Sequence, residues 1–441
     1  MNETKERITS IVGAGAVLDF DLPDGVDRPL TSNITKAVVG LQRNNYLTNK
    51  PITELADMFR LLERDYPSGA NFETLFHALE MMVAYGWVWS HPNMPPKNPK
   101  MYPVFAVLTS PKYYFDIDNV RQIVPDVLLT IMDFINTYNA PFVADANNNK
   151  WYRDFWNGIS GRWDIFNLNY DTTIEHSLDH YEDGFSEIDG QPEFQHFVPQ
   201  QLWSNTNGHS TICHLHGCIE YFDSRYKEDV YKNEFLKYGF HDMYKYPSYD
   251  EVRKYYIGSS KSWQSNQTGE QYVNTPIITG LRKPDKLNSM PFDFYHGYLF
   301  NCIMRNRGLL IVGYSFGDIY VNDLIERMEL IHGDKKRVVL IDYWKPVVSD
   351  TDIDSVPEED RGPFLRELMK QRTYDEDFSH SMGEFLCRMT GQSDTYNAVG
   401  DFLNYDRKGP MISNNGCLML FIGGFRAASD YKTDIYSFLN S

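Results

Sequence analysis

The stretch Ile8-Thr9-Ser10-Ile11-Val12-Gly13-Ala14-Gly15-Ala16 decides the fold. Its first residues are apolar or β-branched, the composition of a short buried strand, and the glycines then break it into a tight turn. A strand ending this way lets backbone N–H groups approach a pyrophosphate, and a helix starting just after it favours the negative charge. The full G-x-G-x-x-G spacing is absent, because position 18 is Leu. The competing reading is an ordinary strand-to-loop turn.

Strand signals return at Trp163-Asp164-Ile165-Phe166-Asn167-Leu168, at 210–215, at Pro276-Ile277-Ile278, and at 308–312 and 337–341. Helical spacing occupies most of the interval between the first two strands. Thr31, Ser32 and Thr35 suit a capped helix over 29–39. Ile52, Leu55, Met58, Leu61 and Leu62 form one stripe, and Phe72, Leu75, Phe76, Leu79 and Met82 form a second with Asn71 as its cap. Val120, Val124, Val127, Leu128, Ile131, Met132 and Ile135 form a third, after a polar loop at 94–102. Strands alternating with helices predict an α/β fold, a Rossmann-like parallel sheet covered on both faces. The helical block at about 45–150 reads as an insertion, and the aromatic, charged stretch 221–256 as a further one. The acidic, turn-rich segment 350–359 reads as a boundary. Residues 1–345 then form the main domain. Residues 350–441 form a C-terminal extension of unknown role, with helices near 364–372 and 379–389 and a late strand at 416–425.

At 441 residues the chain suits two domains or one elaborated domain. A net charge of −18 repels phosphate backbones, and no long Lys/Arg run offsets it, so direct nucleic-acid binding is not expected. Aromatic residues at 15% predict large rings in the core or lining a pocket. The five cysteines include no Cys-x-x-Cys pair, and residues 1–7 are polar rather than signal-like. Reduced thiols, a cytoplasmic location and no membrane span are therefore expected.

Three later strings carry chemistry. Asn167-Leu168-Asn169-Tyr170-Asp171 ends a strand, where ligands gather in open α/β sheets. Asn169 suits a ribose hydroxyl or a water, because its amide both donates and accepts. Asp171 either orients it or caps the following turn. In His214-Leu215-His216-Gly217 the H-x-H spacing puts two histidines on one strand face and can bind metal, yet no acidic partner is evident nearby. His216, just before a glycine, is the better general base; a structural role is the alternative. Gly313-Tyr314-Ser315-Phe316-Gly317 matches the nucleophile elbow of serine hydrolases, with Asp342 and His380 following. Only about two strands follow it, fewer than such a hydrolase needs. The alternative is a nucleotide-contacting turn, with Asp342 at the end of 338–341 suiting an adenosine ribose.

In their order, these motifs resemble the sirtuin-like proteins of bacterial antiphage defence, which deplete NAD. The resemblance spans about residues 8–345. It implies that Gly13, Ala14 and Gly15 bind the NAD pyrophosphate and that Asn169 holds the attacking water and the nicotinamide ribose, with Asp171 in the same loop. It implies His216 as the catalytic histidine. It also implies that Gly313, Ser315 and Phe316 line the late nucleotide loop. The two Cys-x-x-Cys pairs that hold zinc in sirtuin deacetylases are missing, so no zinc and no other metal is expected. The Asp-Phe-Arg loop is reduced to Asp19-Phe20-Asp21, and Leu168 replaces the glutamine before the catalytic asparagine. These departures weaken peptide deacylation and leave NAD hydrolysis to nicotinamide and ADP-ribose. The resemblance further implies a homo-oligomer and a partner ATPase or nuclease from the same defence operon. The alternative functions are a catalytically silent NAD or ADP-ribose sensor and a serine hydrolase acting through Ser315.

Overall fold

β1 (Arg7–Val12) lies mid-sheet, with β11 (Gly308–Val312) on one side and β2 (Arg162–Asn167) on the other, both parallel to it. A computed structural model of the chain describes residues 7–41, 54–67, 69–90, 117–158, 162–188, 191–204, 208–223, 243–255, 263–265, 271–273, 275–280, 283–287, 290–344, 357, 380–400 and 409–441. From β2 the sheet continues through β6 (Ser210–His214) to β3 (Tyr181–Glu182). On the far side it continues through β12 (Arg337–Ile341) and β14 (Leu418–Phe421) to β13 (Met411–Ile412), which alone runs antiparallel. The α/β Rossmann-like sheet expected from the sequence is thus present. Every residue of β11 is buried, as is all of β1 beyond Arg7, the mark of strands covered on both faces.

Chain order reverses between β1 and β11. Strands β1, β2 and β6 step outward one way, and β11, β12 and β14 step outward the other. Such a switch point opens a crevice at the carboxyl ends of the strands. A buried carboxylate pins β1, β2 and β6 together beneath it. Asp164 accepts from Arg7 Nε at 2.9 Å, Thr211 Oγ1 at 2.7 Å and Tyr298 OH at 3.0 Å.

α1 (Thr31–Val39) precedes the helical block, whose described helices include α2 (Glu54–Asp65), α3 (Phe72–Ser90) and α4 (Ile117–Ala144). Asn71 caps α3 as expected, its Oδ1 accepting from Glu73 N–H and Thr74 N–H at 2.9 and 3.1 Å. The expected cap of α1 is corrected: its N-cap is Leu30, with no side-chain bond. Thr35 instead sits inside α1, where its hydroxyl accepts from Phe72 N–H at 3.0 Å and ties α1 to α3.

The stretch read as a charged insertion contributes two strands to a small antiparallel sheet: β4 (Phe185–Ile188), β5 (Gln191–Phe197), β7 (Tyr221–Asp223) and β8 (Met243–Lys245). Its rings pack together, Phe222 stacking on Tyr246 at 4.4 Å between centroids. A two-stranded ribbon, β9 (Trp263–Ser265) with β10 (Gln271–Val273), is separate. In the C-terminal part, β14 pairs with β12 in register from Val338–Leu418 to Ile341–Phe421 as a strand of the main sheet. Its four residues are apolar and buried, as in a strand covered on both faces. The expected boundary at 350–359 (Pro357 apart), the loop at 94–102 and the helix at 364–372 lie outside the described residues. No helix among the described residues is long and apolar enough to cross a membrane.

Candidate functional site

Three glycines bring the turns after β1 and β11 into backbone contact. Gly13 N–H donates to Val312 O, and Gly15 N–H to Gly313 O, each at 2.9 Å. A Cβ on Gly13 would lie 2.6 Å from Gly313 O, and one on Gly15 2.6 Å from Gly313 Cα. Gly313 itself has φ +58°, and its Cβ would meet Ala16 N at 2.3 Å. Only glycine suits that combination of left-handed backbone and close approach. The expected anion cradle is corrected in one respect. Gly13 leads into a four-residue 3-10 turn, Ala14–Val17, too short to carry a helix dipole, and α1 starts only at Thr31.

Asn169 follows β2 and is held from two directions. Its N–H donates to Asn167 Oδ1 at 3.0 Å, and its Nδ2 donates to Gly13 O at 3.1 Å. That leaves Oδ1 to accept from a water or a ribose hydroxyl. Tyr170 OH donates to Ile278 O at 3.1 Å, fixing the next residue. Asp171 turns away from the cavity. It accepts from Thr173 N–H at 3.1 Å and from Tyr138 OH at 2.9 Å, fully buried, so its geometry is the capping alternative and not a direct ligand contact.

His216 lies beyond β6 on a loop braced by a bridge between Gly217 and Ile277. Ile278 N–H donates to His216 O at 2.7 Å. Gly217 has φ +84°, and a Cβ there would meet Pro276 O at 2.0 Å. Only this bridge, not a full strand, occupies the expected Pro276-Ile277-Ile278 segment. His216 Nε2 meets Asp318 Oδ2 at 2.8 Å, and both side chains are about nine-tenths buried. Burial, helped by Lys283, holds the His216 pKa below its ordinary value, with Asp318 pulling against it. Burial also opposes ionisation of Asp318, but the His216 hydrogen bond and the positive field around it hold this carboxyl well below the usual range. A low carboxylate beside a low imidazole describes one state, ionised Asp318 and neutral His216. A carboxylate only accepts, so Nε2 carries the proton and Nδ1 is left as the base.

These groups face one cavity of about 540 Å3. That is within the roughly 300–1,000 Å3 typical of ligand sites. It is walled by the turns following β1, β2, β6, β11 and β12, the carboxyl ends of five parallel strands. Of the residues singled out from the sequence, Gly13, Ala14, Gly15, Asn169, His216, Gly313, Ser315 and Asp342 all line it. Asp342 is oriented by Tyr343 N–H at 2.8 Å and Trp344 Nε1 at 3.1 Å, and burial raises its pKa. Phe316 does not line it. Its ring packs on Phe385 of α7 (His380–Thr390), with α6 (Ile319–His332) starting three residues on from Phe316. Phe316, not Ser315, holds the left-handed φ of +58°. A nucleophile elbow requires the strained turn at the serine itself. The side chain of His380 lies outside the described residues.

Four contributors to the cavity, Asp318, Tyr138, Glu73 and Lys283, were not singled out from the sequence. Asp318 directly follows the glycine-bearing string, but its partner lies 102 residues away. Tyr138 and Glu73 come from the helical block, which therefore forms a wall of the cavity. Lys283, on the short helix α5 (Lys283–Lys286), faces Glu73 at 3.5 Å; no local pattern marked it.

The other histidine has a different task. β6 ends at His214, so the two histidines do not share a strand face. His214 Nε2 bonds Glu175, the acidic partner the sequence did not offer nearby, and its Nδ1 meets Asn169 O at 3.2 Å. With Cys218 these side chains place three possible metal ligands within 4.8 Å. Lys245 stands beside them, bonded to Asp183 at 2.8 Å, so the cluster is already a charge-compensated network. Burial opposes ionisation of Glu175, but the His214 charge takes it down to about 2.

No protein-family model matches this chain, and no curated protein matches it.

Proposed function

We propose that the chain is a NAD glycohydrolase that cleaves NAD to nicotinamide and ADP-ribose. The observation that carries this reading is the convergence of Asn169 and the Asp318-held His216 on one cavity at the sheet's switch point. Breaking the nicotinamide–ribose bond passes through a cationic, oxocarbenium-like sugar, so a weak nucleophile suffices when it is positioned. Asn169 Oδ1 holds a water near the anomeric carbon. As the C–N bond breaks, its electron pair leaves with nicotinamide and the water oxygen bonds the sugar carbon. His216 Nδ1 takes the water proton, and Asp318 compensates the imidazolium that forms. Gly13, Ala14, Gly15, Gly313 and Ser315 line this switch-point cavity and suit the dinucleotide's passage, and the Asp342 carboxylate suits accepting from the hydroxyls of a ribose diol.

The likeness to sirtuin-like proteins extends this reading to an antiphage effector that depletes NAD, acting as a homo-oligomer with a partner ATPase or nuclease. Nicotinamide release from NAD tests the chemistry, with Asn169→Ala and His216→Ala beside the wild type. Loss of at least about 100-fold in both variants is expected. Full turnover in both would sink the assignment, and binding of NAD without release would favour a sensor.

A further inference from the structure

We propose that Lys283 is the binding group for the anionic phosphates of the nucleotide, and that Glu73 holds it in reserve until the ligand arrives. The inference rests on the nucleotide reading above and deepens it by assigning the charge that reading needs. Four observations meet here. First, the described lining of the cavity carries three carboxylates, Glu73, Asp318 and Asp342, and a single cation, Lys283. A diphosphate entering such a cavity meets a net repulsion unless that cation engages it. Second, the usual anion sites are largely used up, because Gly13 and Gly15 N–H bond protein carbonyls and only a four-residue 3-10 turn comes after them. Third, Lys283 is half-free. It faces Glu73 at 3.5 Å, longer than a tight charge-assisted bond, with side chains 23% and 30% exposed. Fourth, it lines the same cavity as His216 and Asp318, so one ligand can meet all three.

Glu73 opens α3 and presents its carboxylate to Lys283. An incoming phosphate competes with that carboxylate for one ammonium group. The two variants consequently move affinity in opposite directions. Lys283→Ala removes the cation, while Glu73→Gln frees it.

The test is calorimetric titration with ADP-ribose and, separately, with adenosine, which has the base and ribose but no phosphate. Loss of a charged hydrogen-bond partner predicts that Lys283→Ala weakens ADP-ribose by about 10- to 100-fold. Adenosine affinity should be unchanged, Lys283→Arg should restore most of the loss, and Glu73→Gln should tighten ADP-ribose. The wild-type affinity for ADP-ribose should also fall with added salt more steeply than that of Lys283→Ala. Equal loss of adenosine and ADP-ribose in Lys283→Ala, or no loss of either, would overturn the assignment while leaving the nucleotide reading in place. A wild-type protein that binds neither ligand would overturn both.

Discussion

Replacing Asp318 by Asn separates its electrostatic task from its structural one. Asp318 is the N-cap of α6, its Oδ1 accepting from Val321 N–H at 3.2 Å, and Asn caps helices about as well as Asp. Asn has one carbonyl oxygen for the two positions Asp318 fills, so with the cap kept its Nδ2 faces His216 Nε2, and the charge and the hydrogen bond to the imidazole are lost together. At 2.8 Å and an effective dielectric near 20, an imidazolium–carboxylate attraction is about 6 kcal/mol before desolvation. With the proton about half transferred, about half of that counts, which is about 3 kcal/mol or roughly 100-fold in rate. Asp318 raises the His216 pKa against burial, so removing its charge lowers that pKa further. The acidic limb of kcat/KM should therefore move to lower pH as turnover falls. The assay is nicotinamide release across pH 5–9 with a thermal melt alongside. Turnover within about threefold of wild type, or a limb that moves upward, would refute the dyad. Asp318→Ala should in addition lose about 1 kcal/mol of stability with the cap.

Gly313→Ala should lower the melting temperature by an amount equivalent to about 2 kcal/mol or more, because its φ of +58° and a 2.3 Å approach to Ala16 N cannot both be kept; an unchanged melt would contradict the turn geometry. Ser315→Ala should keep nicotinamide release within a few-fold of wild type, whereas abolition would revive the serine-hydrolase reading. Burial pushes the Glu220 pKa up to about 7, against Lys245, so the folded state holds its proton where the unfolded chain has released it. Stability from this group is full below the unfolded value near 4.5 and is lost as pH rises towards 7. The wild-type melting temperature should accordingly fall over that window, and Glu220→Gln should flatten the fall; parallel profiles would count against it.

The parallel sheet was legible because its central strands are short apolar runs ending at a glycine, Asn or Asp. Ile8–Val12, 308–312 and 337–341 needed no tertiary information. The antiparallel sheet was not legible, since β7 and β8 are three residues each and are stabilised by rings from distant segments. Asn169 and His216 were legible as polar residues at strand ends. Their partners were not. Gly13 O, which orients Asn169, lies 156 residues away, and Asp318 lies 102 residues from His216. Asp171 was ambiguous for a related reason, because its choice between ligand and turn depends on Tyr138 from the helical block. Lys283 could not be found from pattern at all, since a lysine there acquires meaning only when the three carboxylates of the cavity's described lining are seen around it.

The most direct measurement is nicotinamide release from NAD by the purified protein, with Asn169→Ala beside it. The account predicts release from the wild type, reduced by about 100-fold or more in the variant while ADP-ribose still binds. Equal release from both proteins, or none from a wild type that also fails to bind NAD, would contradict it.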